Sequence, residues 1–73
     1  MITSHSWSRK RYAVYGLGRS GRATVEALVA SGAEVLAWDD RAEARAPFVG
    51  RTEVADPLEA DLTGYAGVVV SPG

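Results

Sequence analysis

The sequence predicts an α/β fold in which a parallel sheet packs against helices. Short apolar runs of strand length alternate with a helical pattern, and a glycine-rich segment joins the first run to the first helix. The chain has 73 residues, of which 47% are hydrophobic and 23% charged, with a formal net charge of −1. This size and composition fit one small domain.

The first strand and the first helix follow from the pattern of apolar residues. Residues 12–15 form a short run of β-forming residues that ends at Gly16, which is typical of a buried parallel strand. A helical pattern starts at Ser20 and is expected to reach about Ser31, with Gly32 as its stop. One face of this helix carries Gly21, Val25, Leu28 and Val29.

The remaining elements are shorter. A second strand is predicted at 33–38, and with the first strand and helix it makes a right-handed βαβ unit. A turn of helix at 42–46, a short third strand at 51–55 and a helical turn at 57–61 precede a buried final strand at 67–71. Together these elements predict a Rossmann-like parallel sheet with strand order 3-2-1-4 and an exposed edge at the final strand.

The predicted strand order brings two loops together. Strands one and four are neighbours, so the glycine turn, defined here as residues 16–21, should meet the terminal segment 71–73 at the carboxyl end of the sheet. Open parallel sheets bind ligands in the crevice at this position. The two loops are therefore the first candidates for a binding site.

The glycine turn fits the pattern G-x-G-x-x-G in the strand-to-helix context that the pattern requires. Gly16 would permit the turn, Gly18 would let a ligand approach the backbone, and Gly21 would let the helix pack closely. The helix N-terminus, with Arg19 and Arg22 beside it, favours a phosphate or another anion. Two alternatives stay open: the glycines serve the turn alone, and Ser20 is a helix-start residue rather than a ligand contact.

Acidic and polar residues follow two other strands. Asp39 ends the second strand 18 residues after Gly21, near the spacing at which an acid meets a ribose hydroxyl, although an acid there can also cap its own loop. The same alternatives apply to Asp40, and Arg41 could pair with either aspartate or contact a phosphate. The segment Ser71-Pro72-Gly73 offers a second small anion site or forms a simple turn.

The composition excludes several classes of protein. Without cysteine there is no disulfide and no thiolate metal site, and the single histidine, His5, gives no zinc cluster. No apolar stretch approaches the roughly 20 residues of a membrane span. Residues 1–10 have the character of a flexible leader rather than a secretion signal, so a cytoplasmic location is expected. The basic cluster at 9–11 lacks the interleaved aromatic residues of a single-strand binder, so nucleic acid is not an expected partner.

Three segments, in this order, carry a resemblance to a known family. The sequences YAVYGLGRSGRAT at the first turn, EVLAWDDR at the end of the second strand and GVVVSPG at the end of the last strand resemble the N-terminal domain of Mur ligases. The resemblance runs from about Arg11 to Gly73. It is strongest to the members that join D-glutamate to UDP-N-acetylmuramoyl-L-alanine in peptidoglycan synthesis.

The resemblance implies how the site would be used. In that family the N-terminal domain is Rossmann-like and holds the UDP part of the substrate, whereas ATP and Mg²⁺ bind in a separate central domain. By motif position, the uracil and ribose would be surrounded by Gly18, Arg19, Ser20, Asp39, Asp40 and Arg41. The diphosphate would face Ser71, Pro72 and Gly73, whereas the residues alone favour the glycine turn for it. Arg19 and Asp40 stand where other members often have an uncharged residue, so their contacts are expected through the backbone.

The resemblance also implies that this chain would not catalyse a reaction by itself. The family uses ATP to turn a carboxylate into an acyl phosphate, which the amine of D-glutamate then attacks. The sequence has no G-x-x-x-x-G-K-[ST] loop for ATP, and no catalytic or metal-binding residue is predicted in it. Residues 11–73 are therefore expected to be an incomplete, monomeric UDP-binding domain of a longer enzyme.

Two other functions fit the same glycine turn. One is the cofactor half of an NAD-dependent oxidoreductase, in which Asp39 would meet the ribose. The other is a nucleotide-sensing regulatory domain, which we would expect to dimerise around its nucleotide. A preference for UDP over NAD would favour the ligase interpretation.

Overall fold

The structure is a computed structural model that describes residues 7–71 of the chain. Its helices and strands, in chain order, are β1 (Arg11–Tyr15), α1 (Arg19–Ala30), β2 (Glu34–Trp38), α2 (Ala42–Arg45), β3 (Glu53–Val54) and β4 (Gly67–Val70). One turn of 3-10 helix, Ala46–Phe48, follows α2 directly. The predicted α/β class is confirmed.

The four strands form one parallel sheet in the order β3-β2-β1-β4, which confirms the predicted order 3-2-1-4. The register places Tyr15 at the end of β1 opposite Trp38 of β2 and Val70 of β4. The three longer strands therefore end at the same level. Loops that follow them start side by side, and this fixes where a site can form.

The core lies between α1 and the strands β1 and β2. Its buried side chains come from both layers and from the connections between them: Val14, Leu17, Val25, Leu28, Val35, Ala37 and Phe48. The expected burial of the helix face is confirmed at Gly21, Val25 and Leu28, but Val29 is 36% exposed. At 100° per residue Val29 lies about 80° from Gly21, at the margin of the stripe that faces the sheet.

The connection from β2 to β3 is held by one aromatic anchor. Phe48, only 1% exposed, inserts from the 3-10 turn into the core. Pro47 lies inside this turn rather than ending the helical segment, because proline is tolerated in the first turn of a helix. The third strand is confirmed but is only two residues long, with an isolated bridge between Val49 and Thr52 before it.

The helical turn predicted at 57–61 is wrong. The chain makes turns there instead, and the Asp56 carboxylate accepts the Leu58 N–H at 2.9 Å. The Asp61 carboxylate accepts the Thr63 N–H in the same way. Such side-chain bonds give the backbone an alternative to helical hydrogen bonding, and the pattern of apolar residues does not reveal them.

The final strand is present but is not buried as predicted. Val68 is 51% exposed and Val70 is 68% exposed, whereas Val69 on the opposite face packs against the core. β4 is the outer strand of the described sheet and pairs with β1 alone. The predicted exposed edge at this strand is therefore confirmed. It explains why the strand is half-exposed rather than buried.

Candidate functional site

The candidate site lies at the carboxyl ends of β1, β2 and β4. The Gly16 N–H donates to the carbonyl of Trp38 at 2.7 Å, and the Ser71 N–H donates to the carbonyl of Tyr15 at 2.8 Å. These bonds continue the sheet one residue beyond its strands. They place the glycine turn between the β2–α2 loop, residues 39–41, and the residue that follows β4.

Two glycines of the turn are required by direct contact. Gly16 has φ of +99°, and a Cβ atom there would overlap the carbonyl oxygen of Ser71. A Cβ atom at Gly21 would overlap the carbonyl oxygen of Gly16. The start of α1, the turn and the end of β4 therefore form one close-packed unit that only glycine permits at these positions.

Ser71 reaches the glycine turn as the strand order predicts. Its hydroxyl oxygen is buried and has no hydrogen-bond partner within residues 7–71. Pro72 and Gly73, the other two residues of the predicted second anion site, lie outside the described residues. The structure thus supports the placement of Ser71, and the remainder of this segment stays a prediction.

The first turn of α1 presents free backbone donors. Gly18 is the N-cap residue in an extended conformation, and no side chain caps the helix or adds an acidic group to its first turn. Ser20 is exposed and does not serve as the cap, so the alternative of a helix-capping serine is wrong. Uncapped N–H groups at a helix start carry a partial positive charge, which favours an anion.

Asp39 is 8% exposed and its carboxylate is held by two loops. One oxygen, Oδ2, accepts the Leu17 N–H of the glycine turn at 2.8 Å. The other, Oδ1, accepts the Arg41 N–H at 2.9 Å and the Arg41 Nε–H at 3.2 Å. The Leu17 bond, then the two Arg41 bonds, lower the pKa of Asp39 from its ordinary 3.8 to about 2. The loop-capping alternative for Asp39 is thereby confirmed.

Asp40 belongs to a different cluster from Asp39. Its carboxylate accepts the Tyr15 hydroxyl at 3.3 Å and the Trp38 ring N–H at 3.4 Å, and its charge raises the pKa of Tyr15. The Arg45 guanidinium stacks 4.3 Å from the centre of the Trp38 ring and donates to the Asp39 carbonyl at 2.8 Å. Tyr15 and Trp38 are half-buried at the end of the sheet. Each is the last residue of its strand, and the two are paired in the register of β1 and β2. Sequence spacing alone does not predict this pairing.

A cleft of about 570 Å³ opens between the start of α1 and α2. Of the predicted site residues, Gly18, Arg19 and Arg41 line it. Arg22, which was expected to strengthen the field of the glycine turn, also lines it. Sequence reasoning missed six other lining residues: Leu17, Ala23, Glu26, Glu43, Ala44 and Pro47. Ser71, the one described residue of the terminal segment 71–73, does not line the cleft and instead packs against the glycine turn at Gly16.

The charges of the cleft favour an anion at the α1 end. Arg41 is paired with Asp39, and Glu26 is neutralised by Arg51 at 2.8 Å, which lowers the pKa of Glu26. Arg19 makes no ion pair with any residue in the range 7–71. An unpaired guanidinium beside uncapped helix N–H groups is the arrangement that binds phosphates.

A second cleft, of about 480 Å³, lies at the amino end of the strands. Its two arginines are already paired: Arg11 with Glu34 at 2.7 Å, and Arg51 with Glu26 at 2.8 Å. Within residues 7–71, this cleft therefore offers no free cation to an anionic ligand. Among the described residues no group of three His, Asp or Glu side chains is suited to a metal ion, and none of the helices found there could cross a bilayer.

The fold and the site together define a Rossmann-like domain: a parallel sheet, a glycine turn and an open helix start at the carboxyl ends of the strands. Comparison with known proteins narrows this class. The whole chain is 60% identical to part of a UDP-N-acetylmuramoylalanine–D-glutamate ligase of Novosphingobium aromaticivorans and 64% identical to part of one from Sphingopyxis alaskensis. A third, from Zymomonas mobilis, is 49% identical. The predicted resemblance to Mur ligases is confirmed: the whole chain is similar to the N-terminal region of these ligases.

The similarity covers all of this chain but a small share of each relative. The chain spans 16%, 17% and 19% of the length of the three ligases. No family model matches the chain. No solved structure matches it.

Proposed function

We propose that the chain is the UDP-binding N-terminal part of a UDP-N-acetylmuramoylalanine–D-glutamate ligase. The observation that carries the proposal is the cleft at the start of α1, where Arg19 and uncapped N–H groups face Arg41 of the β2–α2 loop. The three similar proteins are named as ligases of this kind, and their names contain a UDP-linked muramoylalanine. The proposed ligand is the UDP portion of UDP-N-acetylmuramoyl-L-alanine.

In this proposal the ligand's two halves meet different groups. The uracil and ribose would lie against Gly18, Arg19 and Ser20 on one side and the loop Asp39–Arg41 on the other. The free donors at the α1 start and the Arg19 guanidinium favour the diphosphate at the glycine turn. Ser71, whose buried hydroxyl has no hydrogen-bond partner among the described residues, and the adjoining Pro72 and Gly73 are proposed as a further contact to the diphosphate.

The remaining steps of the ligase reaction are proposed for other regions of such an enzyme. Activation of the substrate carboxylate needs ATP and Mg²⁺, and amide formation needs D-glutamate. This sequence has no G-x-x-x-x-G-K-[ST] loop, and among residues 7–71 no acidic cluster suits a metal. We propose a monomer in the cytoplasm, where the role of this part is to hold and orient the substrate.

A titration separates the ligase function from its alternatives. The amide resonances of Gly18 and Arg41 are followed by NMR while UDP or NAD is added to the ¹⁵N-labelled chain. We expect UDP to shift both amides at lower concentration than NAD, with the amide of Gly64 on a distant turn unchanged. Preferential binding of NAD would favour an oxidoreductase domain, and nucleotide-dependent dimerisation would favour a regulatory domain.

Matched arginine variants test the location of the site. Arg19→Gln removes one of the two guanidinium groups of the cleft that make no ion pair within residues 7–71, and we expect it to weaken UDP binding about tenfold or more, the effect of losing one charge-assisted hydrogen bond. Arg9→Gln removes the same charge before β1, at the other end of the sheet, and should change the Kd by less than about twofold. Equal losses in both variants would contradict a site at the glycine turn.

A further inference from the structure

The Asp39 carboxylate connects the two loops that border the cleft. It accepts the Leu17 N–H from the glycine turn at 2.8 Å and the Arg41 N–H from the β2–α2 loop at 2.9 Å, with a third bond from Arg41 Nε at 3.2 Å. We call this set of three bonds the Asp39 clasp. Leu17 is itself 1% exposed in the core, so its peptide is held from both sides.

The clasp leaves little of Asp39 for a ligand. A carboxylate has about four acceptor positions, and three are occupied by protein donors. The residue is 8% exposed and is not among the residues that line the cleft, whereas Arg41 and Gly18 are. A ribose hydroxyl would therefore have to displace a charge-assisted bond to reach it.

We propose that Asp39 is a positioning residue of the nucleotide cleft: its carboxylate fixes the spacing between the glycine turn and Arg41 and does not itself bind the ribose. This inference rests on the proposed binding of UDP, and it assigns Asp39 a role different from the ribose contact that its spacing predicts. The ligand-contacting groups next to the clasp are then Gly18, which follows Leu17 in the turn, and the Arg41 side chain.

The first test asks whether the clasp sets the geometry without a ligand. In Asp39→Asn the amide nitrogen cannot accept a hydrogen bond, so at least one of the two backbone donors loses its acceptor. We expect the Leu17 or Arg41 amide resonance to move upfield in the free chain and the Kd for UDP to rise at least about tenfold. Asp61→Asn, which alters the same kind of bond to the Thr63 N–H, should leave both the Leu17 amide and the Kd unchanged.

The second test separates positioning from direct contact. The loss of affinity caused by Asp39→Asn is measured with UDP and with 2′,3′-dideoxyuridine diphosphate, which has no ribose hydroxyls. A positioning residue predicts the same fold-loss for both ligands, because the missing hydroxyls were never its partners. A fold-loss that disappears with the dideoxy ligand would overturn the proposal in favour of a direct ribose contact.

The remaining outcomes are also informative. Free-state Leu17 and Arg41 amides that both fail to respond to Asp39→Asn would overturn the clasp. If that variant does not fold, the wild-type chain is titrated from pH 5 to pH 2, where the Leu17 and Arg41 amides should follow one shared curve; two independent curves would overturn the proposal. A wild-type chain that binds no UDP would contradict the proposed function, and the amide shifts of the free chain would still decide the clasp.

Discussion

The charge of a single carboxylate links the stability of this chain to pH. The pKa of Asp39 falls from an ordinary 3.8 to about 2, chiefly through its bond from the Leu17 N–H. A carboxylate whose pKa is lower in the folded state stabilises the fold above its unfolded pKa, and this contribution is lost as the pH falls through the folded value. The contribution of Asp39 is therefore present at neutral pH and disappears in acid.

We expect Asp39→Asn to remove that part of the acid sensitivity. The wild-type free energy of unfolding should fall between pH 5 and pH 2 by on the order of 1–2 kcal/mol more than that of the variant, after allowance for a partly screened site. Urea unfolding at each pH measures the difference. Parallel curves for the two chains would show that Asp39 titrates normally in the folded state.

The helix α1 shows which part of a secondary element its sequence defines. The 3.6-residue period correctly places Val25 and Leu28 against the sheet, and Gly32, with φ of +83°, ends the helix as expected. The period does not define how wide the buried face of the helix is. For this reason it places Val29 on that face, although Val29 is 36% exposed.

Two identical substitutions one turn apart test this description of α1. Val25→Ala empties a fully buried position and should lower the free energy of unfolding by roughly 2 kcal/mol, since two methyl groups are lost from the core and a cavity is left. Val29→Ala, at the margin, should cost within about 0.5 kcal/mol. Thermal unfolding followed by circular dichroism gives both values, and similar losses would contradict the assigned helix face.

At the scale of the whole molecule, the sequence predicts the strand order better than it predicts the contacts of the individual site residues. The strand order and the meeting of Ser71 with the glycine turn follow from general rules for parallel sheets, which need only the sequence of elements. Asp39 contacts the glycine turn, whereas Asp40 contacts two aromatic side chains. This difference could not be predicted, because adjacent residues after a strand face different neighbours. The partners of Asp40, Tyr15 and Trp38, depend on register, which sequence spacing does not fix.

The outer strand β4 predisposes the chain to self-association. Val68 is 51% exposed and lies on a strand that pairs on one side only within the described sheet, an arrangement that templates pairing with another chain. We expect Val68→Lys to reduce concentration-dependent light scattering while changing the free energy of unfolding by less than about 0.5 kcal/mol. Equal scattering by the variant and the wild type would show that this edge does not mediate association.

The contact between Gly16 and the carbonyl of Ser71 has an evolutionary consequence. A side chain at position 16 could be accommodated only if the backbone at position 71 moved away, and that would pull the end of β4 out of line with β1. Because the clash is with a backbone carbonyl, a substitution at position 71 does not relieve it, and lineages should retain glycine at position 16. The backbone conformation thus restricts which residues can occupy position 16, independently of any requirement for ligand binding.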